Sequence, residues 1–256
     1  MYKIGTFIFG ILLINMQISF AQGRPDNRFD IPQPNIIKWN IAGLPIGSFS
    51  FQYERTITSS ISAAAGIRVM PKGSLPFRSI FENIVDNDEV WSHLNQLQTG
   101  NIAFTPEVKF YFGRKILQGF YVAPFLRISR YSVDLPIHIE YRDNQSDIYI
   151  EEEVNMTGGI STFTGGVLFG AQWKLANQWY LDWWILGPQY GPSNGSLTTL
   201  KNLTEREQDA LRDQLSILEH VPIVDLSSEV NSDGATIHAR GPWTGVRACL
   251  AVGYSF

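Results

Sequence analysis

The sequence predicts an all-β fold: an eight-stranded antiparallel up-and-down transmembrane β-barrel with long, partly helical extracellular loops. Three observations predict it. An apolar leader opens the chain, side chains alternate apolar and polar with a period of two in eight separate segments, and the connections between those segments alternate short and long. Of the 256 residues, 17% are charged and 13% aromatic, whereas a soluble globular domain has a charged share of roughly 25%. Only one uninterrupted apolar run exists, which excludes a polytopic helical membrane protein. A formal net charge of −4 argues against nucleic acid as a partner. The single cysteine, Cys249, excludes a disulfide framework and a Cys-rich zinc site.

Residues 1–21 read MYKIGTFIFGILLINMQISFA. One positive charge, Lys3, precedes the apolar stretch, and Ser19 and Ala21 supply the small-x-small pattern of a secretory signal peptide cleaved after Ala21. The alternative is a single membrane anchor, for which the run is short against a span of ~20 residues. Residues 22–35 are expected as a short periplasmic segment and residues 36–256 as the barrel domain.

Successive side chains of a strand point to opposite faces. In 36–42, Ile37, Trp39 and Ile41 oppose Lys38 and Asn40. In 48–57, Phe49, Phe51, Tyr53 and Ile57 oppose Ser48, Ser50, Gln52 and Glu54. In 61–69, Ile61, Ala63, Ala65, Ile67 and Val69 oppose Ser62, Ala64, Gly66 and Arg68. In 107–112, Val108, Phe110 and Phe112 oppose Glu107, Lys109 and Tyr111. A fifth strand spans 120–130. In 162–173, Phe163, Val167, Phe169 and Trp173 oppose Thr162, Thr164, Gly166, Gly170 and Gln172. In 179–185, Trp179, Leu181, Trp183 and Ile185 oppose Tyr180, Asp182 and Trp184. In 245–256 the even positions from Val246 to Phe256 are apolar or small, and the odd ones are small or polar. That segment ends in Tyr254 and Phe256, a pattern resembling the C-terminal insertion signal of outer-membrane barrels. Each of these segments is expected to approach the ~9–11 residues a tilted strand needs to cross a bilayer.

Tight turns are expected at 58–60, 113–118 and 175–178, and a short loop at 43–47. Long loops are expected at 71–100, 132–157 and 189–238. Short turns on one edge and long loops on the other match an outer-membrane barrel with its turns in the periplasm. A soluble lipocalin-like barrel alternates the other way round, with apolar side chains inside. Period alone does not separate the two.

With the polar faces inward, the lumen holds a charge network of Lys38, Glu54, Arg68, Glu107, Lys109, Arg127, Asp182 and Arg247, with Gln52 and Gln172. Eight strands leave room only for side chains to fill the interior. Charges of both signs there are expected to pair, because an unpaired buried charge is costly. The two readings are a salt-bridged plug and a narrow ion path.

The three long loops hold nineteen of the 24 acidic residues and six basic ones. That composition suits plain solubility, divalent-cation bridging to anionic surface lipid, or a cationic partner. Glu151, Glu152 and Glu153 form an acidic run with no calcium-loop spacing. Thr204-Glu205-Arg206-Glu207 is a capping box that starts a helix reaching about Glu219. A second helix is expected over 77–97, with Ile80, Ile84, Trp91 and Leu94 as its apolar positions. Residues 137–142 and 147–153 read as a hairpin around Asp143–Ser146 that extends strands five and six beyond the membrane.

No nucleophile elbow, P-loop or metalloprotease motif is present. His93, His138, His220 and His238 lack metal-ligand spacing. No catalytic residue, metal or cofactor is expected. His238 with Ser227, Ser228 and Glu229 is the one constellation suited to a lipid-modifying site. Cys249, on the small inward face, reads as filler.

The run 36–71, with Phe51-Gln52-Tyr53-Glu54-Arg55, resembles the Bacteroidota outer-membrane barrel families, among them the group known as domain of unknown function 3575. So do the segments Thr105–Gly113, Gly165–Trp173 and Asp182–Gly191. The likeness covers about 36–256. It implies a barrel in the outer membrane of a Gram-negative bacterium and transfers no catalytic residue. The expected partners are outer-membrane lipid, the barrel-assembly machinery and an extracellular ligand at the acidic loops, with no nucleic acid. The function expected is a non-enzymatic structural or surface-interaction barrel. The alternatives are a narrow ion or small-solute pore and a lipid-modifying enzyme.

Overall fold

The computed structural model describes residues 34–74, 96–113, 115–142, 149–218 and 225–256. The expected signal peptide, nearly all of segment 22–35, the helix expected at 77–97 up to its last two residues, and the hairpin tip at 143–146 lie outside the described residues.

Among the described residues nine strands form one antiparallel sheet: β1 (Asn35–Asn40), β2 (Phe49–Thr56), β3 (Ile61–Ser74), β4 (Gln98–Tyr111), β5 (Gly119–Arg142), β6 (Tyr149–Ala176), β7 (Trp179–Leu200), β8 (Asp225–Asn231) and β9 (Gly234–Ser255). Each strand from β1 to β7 pairs with the next, β7 pairs with β9, and β9 returns to β1, with Ile36 opposite Ser255 and Asn40 opposite Ala251. Eight strands therefore close a ring. The ninth, β8, was not expected; it pairs with β9 over residues 234–240. Among the described residues no helix is long and apolar enough to cross a membrane.

The alternation resolves with the apolar face outward. Ile37, Trp39, Phe51, Phe104, Phe110, Phe163, Phe169 and Trp183 are exposed, while Lys38, Gln52, Glu54, Glu107, Lys109, Thr164, Gln172 and Asp182 are buried. That is the reverse of a soluble fold, in which large apolar side chains turn away from the surface. Across β1 and β2, Trp39 and Phe51 stack on this outer face at 6.1 Å.

The tight turns fall where the sequence places them. Ile57 and Thr58 both donate their N–H to the carbonyl of Ile61 to close the β2–β3 turn. At the same end the backbones of Asn35 and Phe256 pair in both directions. In the β4–β5 turn, Leu117 adopts a left-handed backbone (φ 55°) and is buried. It joins Ile36, Tyr111, Tyr121, Phe125 and Leu168 in an apolar cluster inside the barrel.

Among the described residues, 132–142, 149–157 and 189–200, expected as loop, continue the strands instead. β5 and β6 pair without interruption from Gly119 opposite Gln172 to Arg142 opposite Tyr149. β7 runs to Leu200 and β9 begins at Gly234. Helix α1 (Glu205–Leu218) lies between β7 and β8. In this far part the inner face changes character while keeping its period. On β5, Arg127 and Ser129 give way to Val133, Leu135, Ile137 and Ile139, all buried. They meet Val154, Met156, Leu197, Ala235 and Ile237 from neighbouring strands and Leu203, Leu211 and Leu215 from the helical segment. Each buried leucine or isoleucine contributes about 1.5–3 kcal/mol. Here the outer faces carry the acids, so the polarity is that of a water-soluble fold.

Helix α1 starts as the capping box predicts. Thr204 N–H donates to Glu207 Oε2 at 2.6 Å, and Glu207 N–H donates back to Thr204 Oγ1 at 3.4 Å. Lys201 adds ion pairs to Glu207 at 3.2 Å and to Glu152. Burial alone would raise the Glu207 carboxyl, but the Thr204 backbone and hydroxyl donors, with Lys201, hold it down at about 2.

Candidate functional site

The lumen is the candidate site. Six strands place its groups: Lys38 on β1, Glu54 on β2, Glu107 and Lys109 on β4, Tyr121 on β5, Gln172 on β6 and Asp182 on β7. All seven side chains are buried. Lys109 Nζ lies 2.8 Å from Asp182 Oδ2, 3.3 Å from Glu54 Oε2 and 3.7 Å from Glu107 Oε1. Lys38 donates to Glu54, Gln172 and Asp182. Tyr121 donates its hydroxyl to Asp182 at 2.7 Å, and Tyr111 donates to Glu54 at 2.6 Å. Gln172 donates to the Leu117 carbonyl at 3.0 Å, which ties the network to the turn beneath it.

Glu107 links this cluster to the next layer. It accepts from Gln52 at 2.9 Å and from Arg247 Nη1 at 2.9 Å. The Arg247 guanidinium also lies over the Phe125 ring at 4.3 Å and the Trp184 ring at 4.6 Å, a favourable cation–π arrangement. Lys38, Lys109 and Arg247 thus face Glu54, Glu107 and Asp182, three cations against three anions. A buried set this size is held because every member has partners; removing one leaves a charge that burial penalises.

Arg68 and Arg127 lie outside this balance. Both point inward, but neither forms an ion pair among the described residues. Arg68 Nε donates to Ser48 Oγ at 2.9 Å, and Arg127 Nε donates to Ser129 Oγ at 3.3 Å. Of the eight charges named from the sequence, the structure brings six into one network and sets these two apart, beside a cavity. Tyr111, Tyr121, Leu117 and Ser62, whose hydroxyl donates to Glu54, also belong to the network and are absent from the charge set named from the sequence. Ser62 and Tyr111 were legible by parity, since both fall on the polar face of their strands. Leu117 had no signal, because its turn carries it inward.

The arrangement is an interlocked set of buried ion pairs and hydrogen bonds. His238 and Ser227 are cross-strand partners of β9 and β8, exposed on the outer face, as is Glu229. Glu152 pairs with Lys201, whereas Glu151 and Glu153 flank His138 at 4.0 Å. Among the described residues no cluster of three His, Cys, Asp or Glu side chains suited to a metal occurs. Cys249 is buried on the inner face. Tyr254 packs on Trp179 at 5.3 Å and donates to Gln178 at 2.6 Å, and Phe256 is exposed.

The chain is similar to the outer membrane protease OmpT from Escherichia coli, with TM-score 0.33 and 10% identity over 88% of this chain and 93% of that one. It is similar to the N-terminal β-barrel domain of Pseudomonas aeruginosa OprF, with TM-score 0.25 and 7% identity over 88% and 98%. The β domain of the Bordetella autotransporter BrkA gives TM-score 0.21 and 9% identity over the same shares. At these scores the likenesses add nothing to the strand pairing itself. No protein-family model matches the chain, and no curated protein matches it.

Proposed function

We propose that this chain is a non-enzymatic outer-membrane β-barrel of a Gram-negative bacterium, with a structural or surface-interaction role. The observation that carries the reading is the inverted polarity of a closed barrel. A continuous ring of exposed Phe, Trp, Ile and Val side chains surrounds a buried, charge-balanced interior. Exposed apolar patches on soluble monomers rarely exceed a few hundred Å², and in hydrocarbon a sheet must close to satisfy its backbone. The apolar leader read in residues 1–21 supports export. Beyond the apolar ring, the acid-faced upper sheet and α1 form a folded platform that suits contact with a partner outside the cell. The complete burial and mutual pairing of Lys38, Lys109, Glu54 and Asp182 support a plug over a pore.

The test is migration of the outer-membrane fraction on a denaturing gel, unheated and boiled. A closed barrel migrates differently before boiling. A chain found soluble in the periplasm, with no shift, overturns the membrane reading. Single-channel recording then separates plug from pore: a silent bilayer is expected, and a conductance altered by Glu107→Ala replaces the plug by a pore.

A further inference from the structure

Above the balanced network lies a cavity of about 410 Å³. Three guanidinium groups line it, Arg68, Arg127 and Arg247, together with the Trp184 indole and the hydroxyls of Ser48 and Thr105. Among the described residues no carboxylate lines it. Arg247 is neutralised from below by Glu107, whereas among the described residues Arg68 and Arg127 have no carboxylate partner. Arg127 is buried and uses one of its five N–H donors in a hydrogen bond. Trp184 Nε1, a donor only, is buried with no hydrogen-bond partner. A buried donor without an acceptor is penalised, so two guanidinium groups without carboxylate partners, and an unpartnered indole N–H on a residue that lines the same cavity, call for an anionic acceptor.

We infer that this cavity binds a phosphate-type oxyanion. Two unbalanced guanidinium groups match a charge of about −1.5 to −2, and donors on the β1–β2 connection (Ser48), β3, β4, β5 and β7 match a group with three acceptor oxygens better than a carboxylate with two.

The barrel wall supplies an entrance. β1 leaves β9 at Asn40, and β8 joins it only at Arg240; among the described residues, no strand pairs with 241–249 of β9 on that side. Only Ile41 and Ala42 reach Leu250 with backbone hydrogen bonds. On the other side of the short β1–β2 hairpin, β3 from Met70 to Ser74 pairs with β4 alone. This notch opens beside the cavity, whose lining includes the outward-facing Ile67, Val246 and Ala248. A phosphate headgroup with its chains in the surrounding lipid and free phosphate from solution both fit such a mouth, and both carry the same chemistry into the site.

The experiment is calorimetric titration of the full chain in nonionic detergent, its fold checked by the unheated-versus-boiled shift. Three ligands are compared: inorganic phosphate, dihexanoyl phosphatidic acid and dihexanoylglycerol, which has the same tails and no phosphate. Saturable binding of a phosphate-bearing ligand is expected, with none for dihexanoylglycerol. Arg127→Gln and Arg68→Gln are each expected to weaken it about tenfold or more, while Arg130→Gln, on the outer face, leaves it unchanged. Equal binding of phosphate and phosphatidic acid assigns the site to the free anion; binding of phosphatidic acid alone assigns it to a lipid headgroup. Should Arg127→Gln not fold, Arg68→Gln decides. Failure of both phosphate ligands to bind the folded chain, or binding indifferent to both arginine variants, overturns the inference.

Discussion

At the residue scale, the lumen network turns on Asp182. It accepts from Lys38, Lys109 and Tyr121, so with Glu54 it holds two buried ammonium groups at once. Asp182→Asn is expected to lower unfolding stability by about 3–5 kcal/mol, the usual consequence of stranding a buried partner. The double variant Lys109→Met with Asp182→Leu keeps cations and anions equal and is expected to recover most of that loss. Denaturant midpoints in detergent micelles measure both; a double variant as weak as the single one would show that packing, rather than charge balance, sets the effect. Gly170 is small for a related reason. A Cβ there would lie 2.4 Å from the Tyr121 ring and hydroxyl, so Gly170→Ala is expected to push Tyr121 off Asp182 and to cost about 1–3 kcal/mol by overpacking.

At the scale of elements, Glu207 makes the stability of α1 depend on pH. The Glu207 carboxyl is held at about 2, below its model-peptide value of 4.5. A depressed folded-state value contributes stability that is complete above about 4.5 and is lost as pH falls through about 2. Wild type is therefore expected to resist cleavage within 201–224 better than Glu207→Gln at pH 6, with the gap closing towards pH 2. Protease cleavage mapped by mass spectrometry reads this, with pepsin at the acid end. Thr204→Ala removes the other half of the capping box and is expected to cost the helix about 1 kcal/mol. Only a local opening of α1 is expected, because loop elements open at lower free energy than a barrel wall.

At the scale of the molecule, ring closure and the outer platform are separable in topology. The ring closes through β1 and β9, whereas α1 and β8 attach only beyond it. Replacing residues 201–233 by a short Gly-Ser turn is expected to preserve the shift between unheated and boiled samples while abolishing any surface phenotype. Loss of the shift would make the platform part of barrel folding. The outward indoles provide a second test: Trp39, Trp173, Trp179 and Trp183 are exposed in the apolar ring, so brominated lipid is expected to quench much of the tryptophan emission.

The sequence by itself determined the side each residue takes along most of the wall. Alternation is a property of the extended backbone, so Lys38 and Trp39, or Asp182 and Trp183, part ways whatever surrounds them. It determined the three tight turns and the helix start as well, since the β2–β3 turn and the capping box are closed by neighbours a few residues apart. Only the tertiary structure decided how far the strands run. Beyond Ser129 the inner face becomes apolar and the outer face acidic, so the period persists while its polarity inverts, and acid-rich strands read as loops. The pairing of charges was also beyond local reading. Lys38 and Asp182 lie 144 residues apart and meet only because the sheet closes. The isolation of Arg68 and Arg127 and the notch beside them follow from the same closure, because a short hairpin between two long strands leaves a gap that no single segment encodes.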